Sequence, residues 1–344
     1  MIGIFAYAAS APRMRVIKAS LLEAQKLVEL SRAETLDEIV RLLKETRYAR
    51  RISSAAKLQE VSEGITRRHS EDLAKLSRVS ASDAREIVAL LLKLEELRAI
   101  FTVLSAYSRG GPQALSSIPA YRLTGSALEI RDHLASSREE RRSPRALVKR
   151  ALAVVKDELL RSALEEATRR VERTESLRVI EAMAALKIIE AILEAAERAS
   201  TRLAPPPREL VGPLLDYIIV QMLADLWLFK ELDKEVVELA AKVTRGRLSS
   251  AVKSLPAAES PLQLYQALLR EHGLPAARLE DLPRADEHAY EQITRLIRSR
   301  ARRVFASYPL TPSLGVAAFL LLLLEYRDLM MILASRLVGR RPFP

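Results

Sequence analysis

The sequence contains no cysteine, so disulfide staples, thiolate catalysis and cysteine-based zinc sites are excluded. It also lacks asparagine, and glutamine is sparse. That depletion beside abundant Arg and Glu fits a thermophilic source, and equally the Arg- and Ala-rich coding of a GC-rich genome. Only four histidines are present, His69, His133, His272 and His288. None stands three or four residues from another, so a helix-borne metal site lacks its first requirement. Surface or capping places are expected for all four, with His272 at a helix end just before Gly273. No glycine-rich phosphate loop occurs, which argues against ATP binding in the usual way. No Gly-x-Ser-x-Gly context offers a nucleophile. Neither an enzyme activity, a cofactor, a metal nor a small-molecule substrate is therefore expected.

Long uncharged apolar runs are also scarce. Leu210 to Phe229 could cross a bilayer by length, but it carries Asp216, Gln221 and Asp225, with Pro213 near its start. Gly315 to Leu324 is fully apolar and only about half a span long. Both read as buried core helices, so no transmembrane helix is expected. The apolar opening, Met1 to Ala9, has no basic flank before it and runs straight into Arg13-Met14-Arg15, unlike a secretion signal. Strand patterns, with alternating Val, Ile and Thr between turns, are nearly missing.

What is present points to helices. The chain has 344 residues, 49% of them apolar and 29% charged, a balance that suits a soluble protein of two or three domains. Thr35-Leu36-Asp37-Glu38 has the form of a capping box, and Asp83 with Glu86 repeats it with an acidic cap. Ser143-Pro144 and Ser260-Pro261 place a cap before a helix-starting proline, with Gln263 completing a second box. From about Leu147 to Ser200 the pattern stays helical, on the order of 80 Å if unbroken, with a break expected near Thr174-Glu175-Ser176. Turns are expected at Gly110-Gly111-Pro112, Pro205-Pro206-Pro207, Thr244-Arg245-Gly246, Gly273 to Pro275 and Pro309 to Pro312. Trp227 and Phe229, beside Leu223 and Leu226, read as core.

An internal repeat runs through the chain. Glu96-Leu97-Arg98-Ala99-Ile100-Phe101 aligns with Glu325-Tyr326-Arg327-Asp328-Leu329-Met330, and the two copies reach Gly110 and Gly339 at the same distance. A weaker copy lies at Ala224-Asp225-Leu226. Three related helical units are expected, at 1–110, 111–235 and 236–344, each within the usual domain size. Glu96/Arg98 and Glu325/Arg327 stand two residues apart, so each pair faces two directions and is no internal bridge. Two readings stay open: one member points inward and pairs across units, or both are solvated residues flanking an apolar helix.

The formal charge of +11 is spread along the chain and draws it to nucleic acid, acidic protein surfaces or anionic headgroups. Basic clusters lie at Arg138, Arg141, Arg142, Arg145, Lys149 and Arg150, at Arg295, Arg298, Arg300, Arg302 and Arg303, and at Arg336, Arg340 and Arg341. They read as solvated helix faces, or as contacts to anionic headgroups or acidic loops. Aromatic residues, at 5%, do not interleave with them, so a stacking platform for single strands is not expected.

The opening, Arg13-Met14-Arg15-Val16-Ile17-Lys18-Ala19-Ser20-Leu21-Leu22 followed by Thr35-Leu36-Asp37-Glu38-Ile39-Val40-Arg41-Leu42-Leu43-Lys44-Glu45-Thr46-Arg47-Tyr48, resembles that of the C subunits of A-type and V-type ATP synthases, the family whose eukaryotic members are the d subunits. Phe5-Ala6-Tyr7-Ala8 suits it too. Leu324-Glu325-Tyr326-Arg327-Asp328-Leu329 resembles the family's closing helix, where Asn is usual at the place of Asp328; Asp225 holds the matching place in the middle unit. The resemblance runs collinearly over most of the chain and is weakest between about Gly111 and Leu160. It implies an all-α fold of three similar domains in a funnel about a pseudo-threefold axis. It also implies a non-catalytic component of the central stalk. Such a protein sits on the cytoplasmic face of the membrane as a peripheral protein and couples the rotating shaft subunits to the proteolipid ring. Glu96, Arg98, Asp225, Glu325, Arg327 and Asp328 are the candidate structural residues at the joins. A generic helical scaffold and a basic nucleic-acid-binding protein are the alternatives.

Overall fold

The computed structural model describes residues 2–53, 57–119, 123, 125–136, 143–170, 176–199, 206–276, 281–307 and 311–338. Among these residues every regular element is a helix and no strand occurs; the fold is all-α. By contact the chain divides into two units. Unit 1 comprises Met1–Val88, Ala199–Leu210 and Arg298–Pro344, and unit 2 comprises Ala89–Arg198 and Val211–Ile297.

In unit 1 the helices are α1 (Ile2–Ala19), α2 (Ala24–Arg32), α3 (Leu36–Lys44), α4 (Leu58–Val79), the start of α5 (Ser82–Leu115), and, from the far end of the sequence, the end of α14 (Leu282–Ser307) and α15 (Pro312–Val338). Helix α3 starts where the Thr35 hydroxyl accepts the Glu38 N–H at 3.2 Å. The Glu38 carboxylate reaches the backbone of Glu34 instead of closing the box on Thr35. Ile39, Val40 and Leu43 form its buried stripe, and they pack with Leu30, Val61, Ile65, Leu329 and Ile332 in one core. Helix α15 presents the run Val316 to Leu324 entirely to the interior, as its lack of a polar face requires. Gly315 lets it approach α5, because a Cβ there would meet the Ala84 methyl at 2.8 Å.

In unit 2 lie most of α5, then α6 (Ser126–Ala135), α7 (Pro144–Val154), α8 (Glu158–Arg170), α9 (Leu177–Arg198), most of α10 (Pro207–Leu228), α11 (Lys234–Val243), α12 (Gly246–Ser254), α13 (Leu262–Glu271) and the start of α14. Helix α9 is apolar nearly all round and is buried accordingly, flanked by α8 and α11. Among the described residues one helix, α10, is long and apolar enough to cross a membrane, and 67% of its most apolar window is buried in the protein's own core.

Several local expectations need correction. The stretch from Leu147 to Ser200 is not one helix: it breaks at Val155–Asp157, where the Asp157 carboxylate accepts the Leu160 N–H at 3.0 Å and starts α8. The expected break at Thr174-Glu175 falls outside the described residues, as do Pro205, Pro309, Gly339 and the basic residues Arg138, Arg141, Arg142, Arg340 and Arg341. The Ser143 cap is found, accepting from Ala146 N–H with Pro144 at the first helical position. Asp83 lies inside the first turn of α5 rather than ahead of it. Ser260 reaches Leu262 N–H, one position short of a box with Gln263. At Gly111, φ is +65° and the helix kinks before Pro112. That left-handed conformation is one only glycine adopts freely.

Candidate functional site

The buried charge of unit 1 gathers on α15. Glu325 and Asp328 stand three residues apart on one helical face and are 4% and 5% exposed. Glu325 Oε1 accepts from Arg47 Nη2 at 2.5 Å and from the Tyr48 hydroxyl at 2.7 Å. Its Oε2 accepts the backbone N–H of Leu22 at 2.5 Å, just before α2. Arg47 turns its other nitrogen to Asp72 Oδ2 at 2.9 Å, and Arg68 Nε donates to that same oxygen at 3.0 Å. The turn after α3 positions Arg47 and Tyr48: the Thr46 hydroxyl donates to Leu43 C=O at 2.6 Å and accepts from Tyr48 N–H at 3.3 Å. The result is an alternating chain, Glu325–Arg47–Asp72–Arg68, in which each buried charge meets its opposite.

Titration follows from this geometry. Burial, and then the Glu325 charge, push the Tyr48 phenol well above its ordinary value, so it stays a donor. Burial opposes the Arg47 charge, but Tyr48, Glu325 and Asp72 outweigh it and the guanidinium is raised. Asp328 pairs with Arg298 of α14. Burial raises the Asp328 carboxyl to about 6, with Arg298 pulling it down and Glu325 pushing it up. Between them, Tyr326 stacks on His69 with ring centroids 4.4 Å apart. Arg327, on the other side of α15, is half-buried.

Unit 2 places the remaining candidates. Glu96 of α5 accepts the Ser126 N–H at 2.7 Å, at the start of α6, and lies 3.6 Å from Lys93. The neighbouring Gly125 has φ +52°, and a Cβ there would stand 2.5 Å from the Glu96 carboxylate. Glu271 does the same at the start of α12, accepting from Arg247 N–H at 2.8 Å beside Gly246. Arg98 is partly exposed, 3.7 Å from Glu95. Asp225 is on the exposed side of α10; partial desolvation, then the charge of Asp286, raise its carboxyl. Glu181 is pushed up to about 7, mainly by burial, with Arg98 and Arg178 opposing and Asp225 adding.

Sequence reasoning gave no role to Arg47, Tyr48 or Asp72, read Arg298 only as part of a basic cluster and not as the partner of Asp328, and missed Asp286. That carboxylate accepts from the Tyr217 hydroxyl at 3.0 Å, the Tyr265 hydroxyl at 3.2 Å and Gln221 Nε2 at 3.0 Å. Burial, then the charge of Asp286, raise both phenols. Only the motif Thr46-Arg47-Tyr48 carried a sequence signal.

Other expectations change too. His69 is buried, not on the surface. His272 ends α13 as expected and also lies 3.0 Å from Asp216. Phe229 is 54% exposed and lies under the Arg178 guanidinium at 3.5 Å rather than in the core. The basic clusters are not simply solvated faces. Arg145 donates to Thr168 C=O, Arg300 to Glu209 C=O and Arg336 to Ser31 C=O. Among the described residues no group of three His, Asp or Glu could hold a metal ion.

Chemically, these carboxylates act on the protein's own donors: helix-start amides, phenols and guanidinium groups. Such an arrangement fixes helices against one another. No curated protein matches the sequence. A family model described as the ATP synthase (C/AC39) subunit matches residues 11–342, almost the whole chain, and the chain therefore belongs to that family, a structural and non-catalytic subunit of rotary ATP synthases.

Proposed function

We propose that this protein is the socket of the rotary motor. It receives the end of the central shaft, rests on the proteolipid ring as a peripheral protein on the cytoplasmic face of the membrane, and conducts torque between them during ion-driven ATP synthesis. The carrying observation is the latch at Glu325. It ties the last described helix to the residues before α2 and to the turn after α3, so that a pull on either end of the chain loads a buried, charge-balanced network. An element under torque needs that kind of stiffness, and packed helices deform little.

A threefold organisation of the sequence is part of the same reading, with units at 1–110, 111–235 and 236–344. Its support is a recurring helix order. The sets α2–α5, α6–α10 and α11–α15 each open with short helices and close on two long ones, of 22 and 34, 22 and 22, and 26 and 27 residues. Glu96, in the last helix of the first set, holds the start of α6, and Glu325, in the last helix of the third, holds the approach to α2. In this reading Glu96, Arg98, Asp225, Glu325, Arg327 and Asp328 serve the joins between sets. Three related lobes would mediate between the different symmetries of shaft and ring. The test is co-purification at moderate salt with the shaft subunits and the proteolipid ring. Both should be retained, and failure to hold either favours a scaffold of another kind.

A further inference from the structure

We infer that α1 and the end of α14 form a contact surface for anionic lipid headgroups; this rests on the socket reading, which brings the protein near a bilayer. Helix α1 contains no acidic residue, and α14 contains none after Glu291. In the described part of α1 the buried side is Ser10, Ala11 and Met14, and the opposite side is exposed. Pro12, Val16 and Ala19 follow one another there at helical spacing as an exposed apolar stripe. Val16, at 69%, exposes the largest fraction of its surface among the large exposed hydrophobic residues. Arg13 flanks the stripe on one side, and Arg15 and Lys18 on the other, all exposed.

Lys18 joins the two helices, with its Nζ 5.5 Å from the centre of the Phe305 ring on α14. Arg302 and Arg303 are exposed on that same turn of α14. Among the described residues none of these five cations has a carboxylate partner. Arg298 and Arg300 of the same helix are instead tied into the protein, Arg298 by the Asp328 carboxylate and Arg300 by the Glu209 carbonyl.

An exposed apolar stripe with cations along both flanks is the pattern of an interfacial helix. The apolar residues enter the boundary of the bilayer while the cations meet phosphate. Nucleic acid would use the cations and leave Val16 without a role. Each cation near an anionic surface is worth about 1 kcal/mol, or about fivefold in partitioning.

The test is sedimentation of the full chain with vesicles of phosphatidylcholine alone and of phosphatidylcholine with phosphatidylglycerol, with duplex DNA as a second polyanion. The chain should bind the anionic vesicles and not the neutral ones. The triple variant R13Q/R15Q/K18Q should lose at least about tenfold with an unchanged melting temperature. R302Q/R303Q, on the other helix, should lose a smaller factor, and it carries the test if the triple variant does not fold. Val16→Trp should strengthen vesicle binding and leave DNA binding unchanged. Equal binding to both vesicles, retention by both charge variants, or a Val16→Trp chain indistinguishable from wild type on vesicles would overturn the inference. Co-purification of the same variants with the shaft subunits reads the socket function separately: a variant that assembles but whose vesicle binding equals wild type removes the lipid surface and leaves the socket.

Discussion

Glu325 in unit 1 and Asp286 in unit 2 are both held by several donors, and they are held differently. Around Glu325 the donors include a buried guanidinium that a second carboxylate also contacts, so the charge is neutralised pair by pair. Around Asp286 the donors are two phenols and an amide, all of them neutral groups. The first arrangement is costly to break, because any single removal strands a buried charge. The second loses ordinary hydrogen bonds, and its neutral donors can turn to water or to one another.

The sharpest way to break this contrast is to truncate one member of each network. Glu325→Ala should cost about 3–5 kcal/mol, because Arg47 loses half its counter-charge in a buried site. Denaturant unfolding of the two single variants and of the Glu325→Ala/Arg47→Ala double variant would read it, and the double should cost much less than the sum. An unchanged melting temperature for Glu325→Ala would refute the latch. The second effect is in pH. The folded Asp328 carboxyl, at about 6, lies above its ordinary value, so between about 4 and 6 the folded chain holds a proton that the unfolded chain releases. The Asp328 contribution to stability should therefore fall as pH rises through that window, by about 2–3 kcal/mol, while the contribution of Glu181, raised to about 7, goes on falling up to that pH. Asp328→Asn should remove the Asp328 part of the profile and leave the Glu181 part, while still accepting from Arg298; the difference between wild-type and variant thermal melts from pH 4 to 7 would decide.

Asp286→Ala comes next, at about 2 kcal/mol, read in the same unfolding experiment. A cost equal to that of Glu325→Ala would erase the distinction between the two networks. The smallest effect concerns two helix ends in unit 2. Helices α10 and α13 finish alike: Glu231 N–H returns to Leu226 C=O, and Leu274 N–H to Leu269 C=O. The residue at the left-handed position is Gly273 in one and Lys230, with φ +58°, in the other. Lys230→Gly should stabilise by about 1 kcal/mol, because a side chain is strained in that conformation. A loss of stability would show that the lysine has another task.

The sequence was readable where the cause is local. The Thr35 and Ser143 caps depend on residues three positions away, and the burial of the Gly315 to Leu324 run follows from its own composition. The break at Asp157 was equally local: an Asp followed by Glu interrupts the apolar period, and that signal went unread. Contacts set by chain return could not be read. Arg47 and Glu325 are 278 residues apart, and Asp286 collects partners from α10 and α13 whose own sequences give no reason to converge. Phe229 misled because helical spacing beside leucines does not say where the helix ends, and α10 ends at Leu228.

The Leu22 amide waits for an acceptor 303 residues later in the chain, and that spacing has a consequence for biosynthesis. Unit 2 is drawn from the middle of the polypeptide and can finish packing while translation continues. Unit 1 needs α15, so its opening helices stay without their partner until about three hundred further residues have been made. At about 5–20 residues per second that delay is some tens of seconds. During it the nascent amino-terminal part, with its apolar faces uncovered, is the segment most in need of a chaperone.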